Sequence, residues 1–544
     1  MNTLNTTLLP FQRAICKGHL ASTGINIRDM DRPLIGVVNS WNEIVPGHVH
    51  LREVAAWVKK GILAAGGYPL EFNTIAVCDG IAQGHTGMHY SLPSRELIAD
   101  SVEVMVKAHG IFDGLVFIAS CDKIVPAMLM AAARLNLPAL LVPGGPMVPC
   151  ITPHESKAAR QAFLQGKLDE DSLVTKTREY YPGPGACPFL GTANTMMMLA
   201  EAMGFTLPDM ALTPAASAAA CDLARLSGER TVELVKEGLR PRDILTRPAF
   251  LNALTVLAAT GASLNSVLHL PAIACEAGVE LTLKDFAMIS DRTPFLVAVT
   301  PNNLERTVVD IHRAGGLPAL LGVLGPLLDL DALTVTGKSL RESIQGRAVK
   351  DASVIHPLEA PLAASGGIAV LTGSLAPGGA VVKSSAVAPA QLVFTGPARV
   401  FDSQEEALAA AESGQLRSGD VVVVRYEGPR GGPGMRELHR LTEVLALVPN
   451  TAIVTDGRFS GASGGLAVGY ATPEAASGGP LAMVEEGDLI TIDIPGRRLD
   501  LNIPESELAQ RKEHWTVSAE KVSGYLAFYA AHVREAAEGA ICKL

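Results

Sequence analysis

The chain is constrained most by short apolar runs that stop abruptly at polar turns and are followed by helical spacing. Residues 115–119 read Leu-Val-Phe-Ile-Ala, a run that is too short for a helix and is typical of a buried parallel strand. Similar runs occupy residues 33–39, 69–77 and 138–142, and segments with helical periodicity lie between them. Strands that alternate with helices predict βαβ units, and therefore a three-layer α/β/α domain around a parallel sheet.

Two of these predicted strands end in a Cys-Asp pair. Cys78-Asp79 follows the second run, and Cys121-Asp122-Lys123 follows the third. In an open α/β sheet, ligands bind at the carboxyl ends of the strands. A thiol is a soft metal ligand, a carboxylate is a hard metal ligand, and an amine is a base. Taken alone, the triplet at 121–123 is better explained as a loop that carries a stray thiol and a surface ion pair.

Length and composition indicate a large, well-buried enzyme. A chain of 544 residues is too long for one hydrophobic core, and 48% hydrophobic with 18% charged residues argues against a disordered chain. The net charge is −10 and no basic block is present, so we expect no nucleic-acid partner. We see no apolar run long enough to cross a bilayer and no secretory signal, so we expect a cytoplasmic protein without a membrane partner.

The eight cysteines are dispersed and form no Cys-x-x-Cys pair. A disulfide framework and a zinc finger are therefore not expected. Most free cysteines pack as small buried hydrophobes. Cys78, Cys121 and Cys187 differ because they lie in polar, glycine-rich turns.

The character of the chain changes near residues 350–365. We therefore expect an N-terminal domain over 1–355 and a β-rich C-terminal domain over 365–544. The second domain contains glycine-rich loops at 426–437 and 455–465, which lack the spacing of a Walker loop or a dinucleotide fingerprint. Turn chemistry explains either loop alone. The chain should end in an amphipathic helix over 517–537. The strand-like segments of this domain are 368–371, 380–383, 398–401, 420–425, 452–455 and 488–494.

Five motifs together are far more specific than any one of them. They read V-C-D-G-I-A-Q-G-H-T-G-M-H-Y-S-L-P-S-R-E, S-C-D-K-I-V-P, G-A-C-P-F-L-G-T-A-N-T-M, Y-E-G-P-R-G-G-P-G-M and T-D-G-R-F-S-G-A-S-G. The motifs occur in the order found in the dihydroxy-acid dehydratase/phosphogluconate dehydratase family, which the chain resembles. The resemblance covers about residues 33–500. R-Y-E-G-P-x-G-G-P-G-M looks like the dihydroxy-acid branch, whereas D-G-R-F-S-G-A-S-G leans towards the phosphogluconate branch.

The resemblance implies an N-terminal α/β/α domain, a C-terminal β-rich swivelling domain, and a site between them that holds an iron–sulfur cluster. Cys121 and Cys187 match cluster cysteines of the family. The third cysteine of 2Fe–2S members lies in a Pro-Cys-Asn stretch, where this chain has Gly47 and His48. Cys78 is the natural substitute, and three thiolates would leave one iron of a 4Fe–4S cluster open to substrate. The alternatives are a packed thiol at Cys78 and a 2Fe–2S cluster with His48 as the third ligand.

The resemblance also implies a Mg²⁺ ion, because its ligands match carboxylates of this chain. These are Asp79, Asp122 and Glu437, with Lys123 as a carbamate that supplies a further oxygen ligand. The alternative for Lys123 is a simple ion pair with Asp122.

A catalytic serine is the remaining site residue that the resemblance implies. Ser460 matches the catalytic serine of the family, and Ser463 is its nearest rival. The chain departs from the family pattern at two positions: Ala127 stands where the family commonly has glycine, at the turn after Lys123, and Leu264 stands where it commonly has threonine.

The reaction that follows from the resemblance is the removal of water from a 2,3-dihydroxy acid to give a 2-keto acid. Mg²⁺ would hold the substrate, Ser460 would take the proton from C2, and the open cluster iron would assist departure of the 3-hydroxyl. A branched-chain dihydroxy acid of valine and isoleucine synthesis is the expected substrate, and a homodimer or dimer of dimers is the expected assembly. The alternatives are a sugar-acid or 6-phosphogluconate dehydratase and a non-catalytic iron–sulfur sensor.

A phosphorylated substrate is ranked second because it would need an additional basic pocket. We see no Arg/Lys cluster near the motifs beyond Arg95, Lys123, Arg430 and Arg458.

Overall fold

The computed structural model describes residues 3–460, 464–516 and 522–543, and its first sheet lies in the N-terminal part of the chain. The strands are parallel, in the order β2-β1-β3-β4. They are β1 (Leu34–Asn39), β2 (Tyr68–Asn73), β3 (Gly114–Ala119) and β4 (Ala139–Pro143). This confirms the predicted parallel sheet, although β2 is shorter than the predicted strand over 69–77. β2 is an edge strand that pairs with β1, and β1 ends at Asn39, opposite Asn73.

Helices surround this sheet and continue beyond it. In the N-terminal part they are α1 (Thr3–Thr7), α2 (Pro10–Ala21), α3 (Leu51–Ala64), α4 (Asp79–Ala82), α5 (Ser91–His109), α6 (Ile124–Leu135), α7 (Pro153–Leu164), α8 (Glu170–Tyr180), α9 (Thr192–Ala202), α10 (Ala218–Glu237), α11 (Pro241–Ile244), α12 (Arg247–Thr260), α13 (Ser266–Ala277), α14 (Leu283–Arg292), α15 (Val308–Arg313), α16 (Gly316–Leu324) and α17 (Leu340–Ser343). Those of the C-terminal part are α18 (Gln404–Glu412), α19 (His439–Leu445), α20 (Glu505–His514) and α21 (Tyr525–His532). No helix in these described ranges is both long and apolar enough to cross a membrane.

The strand order explains the three layers. The β1-α3-β2 crossover and the β3-α6-β4 crossover run in opposite directions along the sheet. Because such crossovers are right-handed, their helices cover opposite faces. α10 packs with α3 on one face, and α5 packs with α6 on the other. Residues 124–133 of α6 are buried and largely apolar, as expected of a helix enclosed between other layers.

The second sheet lies in the C-terminal part and is mixed, which confirms the predicted β-rich region. Its order is β12-β11-β7-β8-β9-β10-β6-β5, and β7, β8, β9 and β10 run parallel to their neighbours in that series. The strands are β5 (Ala369–Leu371), β6 (Gly379–Val382), β7 (Val393–Phe401), β8 (Val421–Val424), β9 (Ala452–Thr455), β10 (Leu466–Thr472), β11 (Leu489–Asp493) and β12 (Arg498–Leu501).

The predicted C-terminal helix over 517–537 is wrong in its extent. Residues 517–521 lie outside the described ranges, and α21 covers only Tyr525–His532. The chain turns away at Val533, which forms an isolated bridge with Cys542. Tertiary contacts of the last residues therefore override the amphipathic pattern.

Candidate functional site

Carboxylates from both parts of the chain meet beyond the carboxyl ends of β2 and β3. Asp79 begins α4, and Asp122 lies in the turn between β3 and α6. Glu437 follows the glycine-rich loop of the C-terminal part. One oxygen atom from each of these three carboxylates lies within 4.8 Å of the others. The structure thus brings together the three acidic residues that the sequence assigned to one metal ion.

Lys123 lies among these carboxylates and is fully buried. Its Nζ is 2.6 Å from Asp79 Oδ2 and 3.7 Å from both Asp122 Oδ2 and Glu437 Oε1. The interpretation of residues 121–123 as a loop with a surface ion pair is therefore wrong. The shortest ion pair of Lys123 is with Asp79, which is distant in sequence, and not with its neighbour Asp122.

The carboxylates differ in their electrostatic surroundings. Burial raises the pKa of Asp122 to about 6, against the opposing charge of Lys123. Burial acts in the same direction on Glu437, but Arg458 and Lys123 outweigh it and lower the pKa of Glu437 to about 2. Glu437 is therefore ionised at neutral pH before any metal binds.

Several polar groups fix Glu437. Asn265 Nδ2 donates to Glu437 Oε1 at 2.9 Å, and Tyr470 OH donates to Asn265 Oδ1 at 2.8 Å. Arg458 Nη1 donates to the same oxygen of Glu437, and Arg458 Nε donates to Met435 O at 2.5 Å. Metal ligands are generally oriented by such outer hydrogen bonds.

The sequence did not reveal the roles of these supporting residues. Ser91 donates to Asp79 Oδ1 at 2.5 Å. Ser91 and Arg458 both lie within the motifs of the family resemblance, and this position was the sequence feature that could have identified them as supporting residues. Asn265 lies in the turn where Leu264 departs from the family pattern. No sequence feature indicated a role for Tyr470. Its φ of 60° occurs where the register of β10 with β6 shifts, and such an irregularity changes the direction of a side chain in a way that the strand pattern does not predict.

The three cysteines form a second group beside the carboxylates. Burial raises the pKa of Cys121 and of Cys187, and the neighbouring Cys78 raises both further. Burial also raises the pKa of Cys78. Cys78 and Cys187 both act electrostatically on Cys121, and Cys78 acts on Cys187, so the three thiols lie close enough to interact.

The backbone at Gly47 passes directly against this thiol group. A Cβ at Gly47 would collide with Cys121 Sγ, so position 47 lies beside the thiols although it supplies no ligand. His48 is buried; its Nδ1 donates to Ser40 O at 2.7 Å, and its Nε2 accepts from Cys121 N at 3.1 Å. Both ring nitrogens of His48 are therefore engaged by protein groups.

The loop after β9 carries Ser460, which is half-buried and lies two residues beyond Arg458. Since the Arg458 guanidinium contacts Glu437, this loop reaches the carboxylate group. Ser463, the rival candidate, lies outside the described residues.

The donor chemistry of the two groups fits the implied cofactors. Three carboxylates whose oxygens lie within 4.8 Å suit a hard divalent cation. Three neighbouring thiols suit an iron–sulfur cluster with one iron lacking a protein ligand. In addition, the buried Arg458 Nη2 has no hydrogen-bond partner among the residues that the structure describes, so this part of the chain offers a donor beside Glu437.

Comparisons with known proteins identify the family of the chain. The family model for the dihydroxy-acid/6-phosphogluconate dehydratase N-terminal region matches residues 32–343, and the model for the C-terminal region matches residues 353–540. A dihydroxy-acid dehydratase of Acetivibrio thermocellus is 50% identical over 97% of this chain and 98% of its own length. One of Moorella thermoacetica is 49% identical over the same shares. One of Ignicoccus hospitalis is 52% identical over 91% of each chain.

Proposed function

Since the chain belongs to the dihydroxy-acid/6-phosphogluconate dehydratase family, we propose that it is a hydro-lyase that converts a 2,3-dihydroxy carboxylic acid to a 2-keto acid. The observation that carries the proposal is the 50% identity, over nearly the full length, to a dihydroxy-acid dehydratase. We assign the reaction to valine and isoleucine synthesis, with a branched-chain dihydroxy acid as substrate. The assembly we expect is a homodimer or a dimer of dimers.

Mg²⁺ would be held by Asp79, Asp122 and Glu437, with Lys123 as a carbamate. The charges of the site support this assignment. Three carboxylates and the cations of Lys123 and Arg458 leave one net negative charge. Reaction of the Lys123 amine with carbon dioxide gives the carbamate and releases two protons in total from the ammonium form. The conversion therefore removes two units of positive charge, which a divalent cation restores. Carbamylation and metal binding thus compensate each other in a buried site, where uncompensated charge is costly.

Cys78, Cys121 and Cys187 would hold the iron–sulfur cluster, and we favour the 4Fe–4S type. The use of both His48 nitrogens by protein groups supports Cys78 as the third ligand. When bound, the two centres supply Lewis acidity for the substrate oxygens.

The residues of the chain then have distinct roles. Ser460, in its deprotonated form, acts as the general base, and its Oγ takes the proton from C2 of the substrate. The electron pair left at C2 forms the double bond to C3 as the 3-hydroxyl departs as hydroxide. The hydroxide takes the proton that Ser460 gained and leaves as water, and the resulting enol becomes the keto acid. Arg458 Nη2, which is buried and meets no acceptor within 3–460, 464–516 and 522–543, would donate to a substrate oxygen.

The basic residues favour an unphosphorylated substrate. Arg95, Lys123 and Arg458 are fully buried and pair with protein groups. Arg430 is exposed but donates through Nη2 to Val533 O at 3.2 Å. The recognition of a phosphate group usually requires several free basic donors. None of the four candidates forms such a pocket.

Turnover of alternative substrates tests the proposal. Anaerobically reconstituted protein should dehydrate dihydroxyisovalerate much faster than 6-phosphogluconate or free sugar acids. A strong preference for 6-phosphogluconate would overturn the substrate assignment. Absence of all dehydratase activity in protein with an intact cluster would instead favour an iron–sulfur sensor.

A further inference from the structure

Arg95 is a buried cation that the proposed reaction does not use. It lies in α5, and its Nη2 donates to Gly539 O at 2.8 Å and to Ala540 O at 2.7 Å. Its Nε donates to Glu96 Oε1 at 2.9 Å. A buried charge requires satisfied hydrogen bonds. Two of the acceptors that satisfy Arg95 thus come from the last residues of the chain.

These last residues, 533–543, form a C-terminal tail that lies on helices of the N-terminal part. Cys542 N donates to Glu96 Oε2 at 3.1 Å. Gly539, with φ of +87°, lies so close to α13 that a Cβ would come within 2.8 Å of Ala272 N and 2.9 Å of Leu268 O. Only glycine fits at this contact.

Arg95 also joins two helices that support candidate metal ligands. Arg95 Nη1 lies 3.3 Å from His269 Nδ1. Burial and the charge of Arg95 hold the pKa of His269 well below its usual range, so the imidazole is neutral. Nδ1 of the neutral ring therefore accepts a hydrogen bond from Arg95. Ser91, one helical turn before Arg95, donates to Asp79. Asn265, one turn before His269, donates to Glu437. The Arg95–His269 bond therefore connects α5 with α13, one helical turn after Ser91 and Asn265, which donate to Asp79 and Glu437.

The opposite side of the C-terminal tail holds the loop that leads to Glu437. Arg430 Nη2 donates to Val533 O at 3.2 Å, and Glu474 N donates to Glu535 Oε2 at 3.0 Å. Glu474 Oε2 in turn accepts from Gly431 N at 2.9 Å. The tail thus contacts both the helices beside Asp79 and the loop beside Glu437.

We propose that the C-terminal tail is a clasp that aligns Asp79 with Glu437, and that Arg95 is a positioning residue for the divalent-cation site. The inference rests on the proposed function, because it concerns the site assigned to Mg²⁺. Breaking the clasp should weaken cation binding while the thiol group, which lies entirely in the N-terminal part, keeps its iron.

Two variants and one control test the clasp. Arg95→Lys keeps the charge but loses the forked geometry of the guanidinium. Gly539→Ala removes no hydrogen-bonding group and pushes the tail from α13. Arg242→Lys is the control, because Arg242 Nε and Nη2 donate to Ala133 O and Glu276 O near the far ends of α6 and α13.

Mn²⁺ is the probe, and electron paramagnetic resonance measures its dissociation constant. The iron content and the melting temperature of each variant are measured separately. Both clasp variants should bind Mn²⁺ about 10-fold or more weakly, the range typical when groups that orient metal ligands are removed. The control should lose only thermal stability. A Mn²⁺ dissociation constant within about twofold of wild type in a folded Gly539→Ala variant would overturn the clasp. Wild-type protein that binds no Mn²⁺ would overturn the proposed function together with the clasp.

Discussion

The thiol group and the carboxylate group begin at the same two turns but are completed from different parts of the chain. Cys78 and Asp79 are neighbours, as are Cys121 and Asp122. The thiol group is completed by Cys187, from the N-terminal part, whereas the carboxylate group is completed by Glu437, from the C-terminal part. The thiol group therefore depends on loop packing within one part of the chain. The carboxylate group depends on the alignment of both parts.

The two groups also differ in how they are charged before metal binds. Burial and neighbouring acidic groups raise the pKa of Cys121 and Cys187, so these thiols are protonated at neutral pH. Glu437, beside Arg458 and Lys123, has its pKa lowered to about 2 and is already ionised. Iron must therefore displace protons from the thiol group, whereas a divalent cation meets at least one carboxylate that is already charged.

Paired substitutions at neighbouring positions give the largest expected effect. Cys121→Ser and Asp122→Asn should both abolish turnover, since each removes a ligand from one centre. Cys121→Ser should lose iron and retain Mn²⁺ binding, and Asp122→Asn should show the reverse; iron analysis and electron paramagnetic resonance measure the two. Cys221→Ser, in α10, is the matched control and should change neither. If either variant loses both metals, the two centres are not separable and the comparison fails.

Ser460→Ala sharpens the comparison because it should impair catalysis without affecting either centre. Loss of a general base lowers kcat by on the order of 10²–10⁴-fold. Steady-state kinetics and metal analysis of the same preparation measure both quantities. Ser413→Ala, at the end of α18, is the control and should be fully active. Wild-type turnover in Ser460→Ala would move attention to Ser463.

Asn265→Ala tests the dependence of the carboxylate group on its outer hydrogen bonds. Glu437 would lose the donor at 2.9 Å, and Mn²⁺ affinity should fall about 10–100-fold with iron content unchanged. Asn252→Ala is a matched control, because the buried Asn252 donates to Asp329 O at 2.8 Å. It should lower the melting temperature and leave Mn²⁺ affinity intact. Equal affinities in the two variants would show that the Asn265 contact is not used.

The smallest expected effect concerns pH and the support of the thiol group. Burial lowers the pKa of His48 from 6.5 to about 4. Between these values the unfolded chain binds a proton that the native protein does not bind. The contribution of the neutral His48 to the free energy of unfolding is therefore fully present above pH 6.5 and is lost as the pH falls towards 4. At 1.36 kcal/mol per pKa unit, the loss by pH 5 is about 2 kcal/mol.

The His48→Gln variant isolates this contribution. Its melting temperature should fall less steeply than that of wild type between pH 7 and pH 5, because glutamine does not titrate there. Parallel pH dependences of the two proteins would contradict the assignment of a neutral, doubly hydrogen-bonded His48.

Local patterns were sufficient to predict much of the fold. The runs at 33–39, 115–119 and 138–142 became β1, β3 and β4, because an apolar run that is closed by a polar turn has few alternatives. β10 and β12 were not predicted; β10 contains Gly469 and follows a glycine-rich loop, so its propensity is weak. The predicted helix over 517–537 is too long at its end, because the chain leaves α21 after His532 and Ala540 and Cys542 form hydrogen bonds with Arg95 and Glu96.

The sequence by itself determined which residues could supply chemistry, since Cys-Asp pairs at strand ends and the five motifs are local features. Both Cys-Asp pairs follow predicted parallel strands, where ligands bind, whereas the family resemblance implied that Asp79 and Asp122 share one ion. Only the tertiary structure decided the partners of each group: that Lys123 pairs with Asp79, that His48 has no free nitrogen, and that Tyr470 and Asn265 hold Glu437. Such contacts join residues far apart along the chain, and their distances are set by the packing of whole elements, which no local pattern records.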